Sequence, residues 1–424
     1  MFVKYSDNLC SGKAWAEKRK TMTTKSKTIF KSISKWLSRI FLSLLVFSGG
    51  MYIWAWSATD TNLIARGIMW GDSDAGDLYR FPTRVMRAST EPVKFERVND
   101  ELQNILDDLP ITNDDIGIVD MPFNEYLEFT NTTAFIVLHG DQLLYEGYFN
   151  GADRESMQTS FSVAKSFTST LVGIAVEGGF IGSLDDSITI YLPELSTRDK
   201  RFEAITLRHL ITMSSGLRWE RSDSNPLSDD FITYYSPDLR NVALEGIEIV
   251  NQPGIEYLYN DYNPLLLGLI LERATGMSVS EFMETRLWQP MGAEGDGSWS
   301  LDSEKSGFEK MFVGVNGRAI DMVKLGWLFL SGGRNGSNQV VPNAWVQDAT
   351  RVDNTTDPAS FYQYYWFIDE ERQMYFAEGD KCQFIFVYPQ ANLVAARFGT
   401  DCGGTGFSAF VPNVALWVES QLQK

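Results

Sequence analysis

"SFSVAKSFTSTLVGIAVEGGFIGSLDD", residues 160–186, sets a lysine one helical turn after a serine, in a run that otherwise has the make-up of a buried helix. The pattern predicts a helix from near Ser160 to the pair Gly178 and Gly179, which stops it. At a spacing of three, Ser162 and Lys165 share one face, close enough for the lysine nitrogen to approach the serine hydroxyl. That face continues through Ser166 and Ser169, while Phe161, Ala164, Phe167, Leu171 and Ile174 form the apolar side. The lysine is therefore expected to enter a polar cleft and not the core. In the first turn Ser162 meets unpaired N–H groups and the positive end of the helix dipole, both of which favour developing negative charge. Burial disfavours a charged lysine, so a neutral amine able to accept the serine proton is expected at Lys165. The pattern S-x-x-K alone is common, and it recurs at Ser32 and Lys35 in a basic arm where it carries no chemistry. What distinguishes the Ser162 copy is its setting at the head of a strong helix.

Directly upstream, "TTAFIVLHGDQLLYEGYF", residues 132–149, has two apolar, β-rich runs around a Gly-Asp turn and predicts a hairpin. Residues 183 to about 350 lean helical, strands return between 374 and 399, and "FSAFVPNVALWVESQLQ" closes the chain as an amphipathic helix with Pro412 in its first turn. Strands at both ends of a helical middle predict one sheet built from distant parts of the chain, with a helical lobe inserted. Cys382 and Cys402 flank "QFIFVYPQANLVAARFGT", two strands joined by a Pro-Gln-Ala-Asn turn. Pairing those strands brings the two sulfurs together, so a disulfide is expected there; Cys10 lies far away in the N-terminal arm.

Charge divides the 424-residue chain. Residues 1–39 hold ten Lys and Arg against only Asp7 and Glu17, which leaves residues 40–424 with 27 basic and 53 acidic residues. So acidic a body repels nucleic acid and excludes it as a partner. After the arm comes "IFLSLLVFSGGMYIWAW", residues 40–56, free of charge and about 26 Å long as a helix at 1.5 Å per residue. Trp36 before it and Tyr52, Trp54 and Trp56 at its far end suit membrane interfaces. The positive-inside rule keeps the arm cytoplasmic and sends the rest outward. A buried helix and a signal peptide cleaved near Ala55 and Ser57 are the alternatives. The expected organisation is a basic arm at 1–39, a transmembrane anchor at 40–56, a linker and domain edge at 57–130, and a catalytic domain at 131–424. Asn131, Asn335 and Asn354 lie in Asn-x-Ser/Thr sequons.

Only two histidines occur, His139 and His209, and neither sits in a zinc-binding pattern; no G-x-S-x-G elbow is present. A serine nucleophile must therefore find its base elsewhere, and Lys165 supplies it. The blocks "SFSVAKSFTSTLVGIAVEGGFIGSLDDSITIYLPEL", "ITLRHLITMSSGLRW", "PGIEYLYNDYNPLLLGLILERATGMSVSEFMETRLWQPMG" and "GRAIDMVKLGWLFLSGGRNGSNQVVPNAWV" follow one another as in the serine β-lactamase and penicillin-binding-protein-like hydrolases. From about residue 130 to 420 the chain most resembles the branch of class C-like esterases and 6-aminohexanoate-dimer hydrolases. The resemblance implies an α/β (α+β) β-lactamase/transpeptidase-like fold, an antiparallel sheet flanked by helices with an inserted helical lobe. It implies no metal or organic cofactor.

It also implies site residues. The Tyr-x-Asn motif of the family falls on Tyr259, a proton shuttle, with Asp261 replacing asparagine. A carboxylate there favours the ammonium form of Lys165 and shifts proton transfer towards Tyr259. The third motif, Lys or His followed by Thr-Gly, is replaced by Ala377-Glu378-Gly379. Its backbone remains usable: the N–H groups of Ser162 and Asp380, just after Gly379, are expected to form an oxyanion hole. Lys381 is the one cation nearby that could substitute for the missing one. An aromatic and acidic stretch at 217–239 is expected at the cleft rim, where it favours neutral or cationic substrates. The expected activity is cleavage of a carboxylic ester or short amide, including peptides, through an acyl-enzyme on Ser162. The alternatives are a β-lactamase or D-alanyl-D-alanine carboxypeptidase acting on the cell wall, and a non-catalytic envelope protein that reuses the cleft.

Overall fold

The predicted hairpin is part of the main sheet, towards one edge. In the computed structural model, which describes residues 12–98, 105–107, 109, 111–113, 118–222, 225, 227–353, 358–404 and 406–423, the eight strands are β1 (Glu96–Arg97), β2 (Thr132–His139), β3 (Gln142–Tyr148), β4 (Tyr362–Gln363), β5 (Trp366–Asp369), β6 (Met374–Gly379), β7 (Gln383–Tyr388) and β8 (Leu393–Gly399). Their order is β4-β5-β6-β7-β8-β2-β3-β1, antiparallel except for β1 against β3. β2 pairs with β8 across more than 250 residues of sequence, with Ile136 opposite Ala396. The expectation of one sheet drawn from both ends of the domain is thus met. Gly140 takes φ 61°, the left-handed value that the tight β2–β3 turn requires.

Both faces of the sheet are covered, and the side-chain period of two sorts them. Ala134, Ile136, Leu138, Ile385 and Val387 face a core shared with the helical lobe. There α3 (Ala164–Glu177) and α5 (Tyr262–Thr275) lie side by side. Phe135, Val137, Phe384, Phe386 and Tyr388 face a second core beneath the closing helix α6 (Phe407–Leu422). Burial on both faces is why these strands read as unbroken apolar runs. The expected disulfide is present: Cys382 and Cys402 are bonded, 5.3 Å apart between Cα atoms.

Two features mark the N-terminal end. The basic arm and the apolar stretch form one helix, α1 (Gly12–Ala58), because no breaker separates them and Lys and Arg are good helix formers. Its segment Ile29–Ala58 is long and apolar enough to cross a membrane, and Phe41, Leu45 and Phe47 on it are exposed. Residues 57–130, expected as a linker and domain edge, contribute elements that pack on the domain. The strand Thr83–Met86 pairs with Gly297–Ser300 in a side sheet, and α2 (Leu63–Trp70) carries a buried arginine. That Arg66 donates to the carbonyls of Thr59, Tyr235, Ser236 and Asp302, which ties the end of α1 to the domain. A buried arginine satisfied by distant carbonyls leaves no local sequence signature. Asn131 is exposed, whereas the Asn335 amide donates to Pro290 O; Cys10 and Asn354 lie outside the described residues.

Candidate active site

The nucleophile turn is held from three sides. Ser160 is fully buried; its N–H donates to Val315 O and its hydroxyl accepts from Val315 N–H. Phe161 follows with φ 42°, a left-handed value that bulky residues rarely adopt. A short 3₁₀ turn, Phe161–Val163, then leads into α3, so the α-helix proper begins at Ala164 and not at Ser160. This turn buries Phe161 and Val163 and leaves Ser162 between them partly exposed.

Lys165 is buried to 1% exposure, so it occupies a closed polar pocket and not the open cleft that its helix face suggested. Its Nζ donates to Ser162 Oγ at 3.0 Å and to Phe312 O at 3.1 Å. Asp261 Oδ1 lies 2.8 Å away, and the Tyr259 ring centroid lies 4.7 Å away. Ser166 and Ser169 do not extend this polar surface: both are buried, and Ser166 Oγ donates to Tyr365 O. The expected neutral amine is corrected here. Burial is the largest single influence and opposes the charge, but Asp261 and Tyr259 together outweigh it and raise the Lys165 pKa above its ordinary value.

Asp261 can face Lys165 because a neighbour satisfies the helix end. Asp261 is the N-cap residue of α5, yet its side chain makes no capping bond. Asn260 Oδ1 accepts from Asn263 N–H instead. Tyr259 and Asp261, two positions apart, then both reach the lysine.

The end of β6 closes the site. A Cβ at Gly379 would stand 2.4 Å from Ser160 O and 3.0 Å from Ser162 N, so only glycine lets this strand approach the nucleophile turn. Asp380 follows; its Oδ1 accepts from Lys381 N–H at 2.8 Å and its Oδ2 accepts from Ser73 Oγ at 3.3 Å. Ala377 is buried in the core, and Glu378 alternates to the other face, where burial raises its carboxyl pKa. Neither offers a cation. Lys381 turns to Asp72 at 3.8 Å.

The stretch 217–239 meets the site only in part. Asp229 is buried and accepts from Tyr262 Oη and Glu220 N–H, both at 2.7 Å, so it serves the fold. Tyr234 and Tyr235 of α4 (Asp229–Tyr235) bond Asp77 and the Gly71 carbonyl, holding residues 71–77 near the end of β6. Residues 223, 224 and 226 of this stretch lie outside the described residues. His209 Nδ1 accepts from Thr206 N–H in a capping box, a packing role. Sequence reasoning missed the Phe312 carbonyl, the approach of residues 72–73, and Tyr362, whose ring lies 5.9 Å from that of Tyr259.

This serine, lysine and tyrosine arrangement under a glycine strand end agrees with what the chain resembles. Residues 128–407 match the Beta-lactamase family model. The chain belongs to the Beta-lactamase family. Members of this family are serine hydrolases, and the protein is an enzyme of that class. It is 28% identical over 230 residues to the 6-aminohexanoate-dimer hydrolase of Paenarthrobacter ureafaciens, covering 52% of this chain and 57% of that protein. It is 29% identical over 186 residues to a beta-lactamase of Escherichia coli K12, covering 42% and 46%. The matches therefore span about half the length of these relatives. A structure from Bacillus anthracis assigned as a 6-aminohexanoate-dimer hydrolase superposes with TM-score 0.69 at 23% identity, covering 81% of this chain and 92% of that one. A penicillin binding protein from Bacillus halodurans superposes with TM-score 0.52 at 18% identity, covering 70% and 97%. These superpositions establish the β-lactamase/penicillin-binding-protein-like fold.

Proposed function

We propose that the protein cleaves a carboxylic ester or short amide by acyl transfer to Ser162. The observation that carries this reading is the 3.0 Å contact between Lys165 Nζ and Ser162 Oγ in a pocket shared with Tyr259. In the resting site Lys165 is an ammonium held by Asp261. It stabilises negative charge developing on Ser162 Oγ, while Tyr259 relays protons: its oxygen accepts the serine proton as its own phenolic proton passes to the leaving-group atom. The carbonyl oxygen of the substrate sits between the N–H groups of Ser162 and Asp380, and water then releases the acyl group.

An ester or neutral amide fits better than a β-lactam or D-alanyl peptide. Those substrates carry a carboxylate, and here Ala377 replaces the family cation while Lys381 is drawn to Asp72. We further propose that Ile29–Ala58 anchors the chain in a membrane, with the catalytic domain on the non-cytoplasmic side; the basic arm before it and the Cys382–Cys402 disulfide support that reading.

The test is a hydrolysis screen of p-nitrophenyl esters, nitrocefin and linear amides with the full chain in detergent. Turnover of esters or amides, lowered by on the order of 10⁶ in Ser162→Ala, is expected. Nitrocefin turnover exceeding every ester would overturn the substrate assignment, and equal activity of the serine variant would overturn the nucleophile.

A further inference from the structure

The turn that carries the second oxyanion donor is unusual in its backbone and in what holds it. Between β6 and β7, Lys381 and Cys382 stand consecutively at φ 56° and 60°. Two successive left-handed residues that are not glycine are costly, and they persist only where the surroundings over-determine them. Four devices do so here. The Asp380 carboxylate accepts from Lys381 N–H. Gln383, buried to 1%, donates through Nε2 to the carbonyls of Asp380, Lys381 and Gly399 at 3.3, 3.0 and 2.8 Å, and its Oε1 accepts from Gly399 N–H at 3.1 Å. Arg397 of β8, with no exposed surface, donates through Nη1 to the carbonyls of Lys381 and Cys382 at 2.8 and 2.9 Å. The fourth device is the Cys382–Cys402 bond itself.

Arg397 also reaches away from the turn. Its Nη2 donates to Thr130 O at 2.8 Å and Asp401 O at 2.7 Å, its Nε donates to Thr132 Oγ1 at 3.1 Å, and its guanidinium lies 4.1 Å from the Phe407 ring centroid. Among the described residues it pairs with no carboxylate. A buried guanidinium spent entirely on carbonyls and a hydroxyl fixes backbone direction, since each N–H of its rigid fork selects one peptide orientation. The turn it fixes begins at Asp380, one residue beyond the glycine whose added Cβ would strike Ser160 and Ser162.

We propose that Arg397, Gln383 and the Cys382–Cys402 disulfide are positioning elements for the oxyanion hole, and that opening the disulfide lowers acyl transfer without weakening substrate binding. The inference rests on the proposed acyl-transfer reading of the site. The reasoning is geometric: an oxyanion donor acts only where the tetrahedral oxygen forms, so a turn freed from its clamp loses transition-state stabilisation while the ground-state contacts remain. No atom is exchanged with substrate by these residues. Opening the bond needs a thiol or phosphine reductant, which takes the two sulfurs to two thiols.

The experiment uses the full chain in detergent with p-nitrophenyl acetate as substrate and phenylboronic acid as a tetrahedral mimic that bonds a serine hydroxyl. Reduction of the wild type with a phosphine, the pair Cys382→Ser/Cys402→Ser, and Arg397→Gln are each expected to lower kcat by about 10²-fold with KM within about twofold. Phenylboronic acid affinity should fall in step with kcat, and Arg397→Lys should recover part of both. A merely structural role would move kcat only with the folded fraction seen by circular dichroism, and that result overturns the proposal. Unchanged kcat and boronate affinity in folded, reduced protein also overturn it. If these forms do not fold, Gln383→Met opens the clamp from β7; the same losses of kcat and boronate affinity support the proposal, and their absence overturns it. Wild type that turns over no ester and binds no boronate at Ser162 refutes the hydrolase reading itself, whereas active wild type with fully active clamp variants refutes only the positioning role.

Discussion

Two lysines, Lys165 and Lys310, are each buried to 1% exposure and both lie against Phe312, yet their surroundings push them in opposite directions. Lys165 faces the carboxylate of Asp261 and its pKa is raised. Lys310 sits 4.0 Å from the Phe81 ring centroid and 4.4 Å from that of Tyr234, and donates to the Tyr234 carbonyl. Among the described residues it makes no ion pair. Its pKa is lowered to about 7, by burial first and by the Arg66 charge second, with Asp77, Asp302 and Asp261 acting the other way from a distance. Equal depth thus gives unequal charge. What decides is whether an anion stands within contact, because desolvation costs both ammonium groups alike.

The largest effect should come from removing the lysine beside the nucleophile. Lys165→Met is expected to lower kcat on a p-nitrophenyl ester by about 10³-fold, within the range that general acid–base groups contribute, while Lys310→Met leaves kcat within a few-fold. A steady-state assay of both variants reads this directly, and equal losses would erase the distinction between the two sites. Asp261→Asn should act next. Without the carboxylate the Lys165 pKa falls, so the ammonium is lost earlier and the alkaline limb of kcat/KM moves to lower pH; an unmoved limb would mean that the ion pair does not govern catalysis.

The smallest effect concerns stability. Between pH about 7 and 10.5 the unfolded chain binds a proton at residue 310 that the folded chain does not. Stability from this group is therefore complete above pH 10.5 and is lost as pH falls towards 7. Lys310→Met should flatten the rise of Tm with pH across that window, measurable by thermal denaturation in buffers of matched ionic strength. An unchanged slope would remove Lys310 from the account.

The contrast also marks how far the sequence could be read. Ser162 and Lys165 were legible because a spacing of three on a helix is a local fact, and Tyr259, Asp261 and Gly379 because ordered blocks resemble a family. The cross-strand disulfide followed from two flanking strands and their turn. The charge on Lys165 was legible only through the resemblance, which set Asp261 beside it; burial alone pointed to a neutral amine, because the partner stands 96 positions away and is freed for that role by Asn260 capping α5. Arg66 and Arg397 look like ordinary surface residues in sequence; only the folded chain gathers the carbonyls that bury them. Residues 57–130 read as a linker and domain edge, and the strand and helix in them that pack on the domain could not be placed from sequence alone.

The most direct measurement is covalent labelling of the full chain with a fluorophosphonate, followed by peptide mass spectrometry. One adduct on Ser162, absent from Ser162→Ala and slowed in Lys165→Met, is the predicted result. An adduct on another residue, or none from any acylating or phosphonylating probe, would contradict the assignment of Ser162 as the nucleophile.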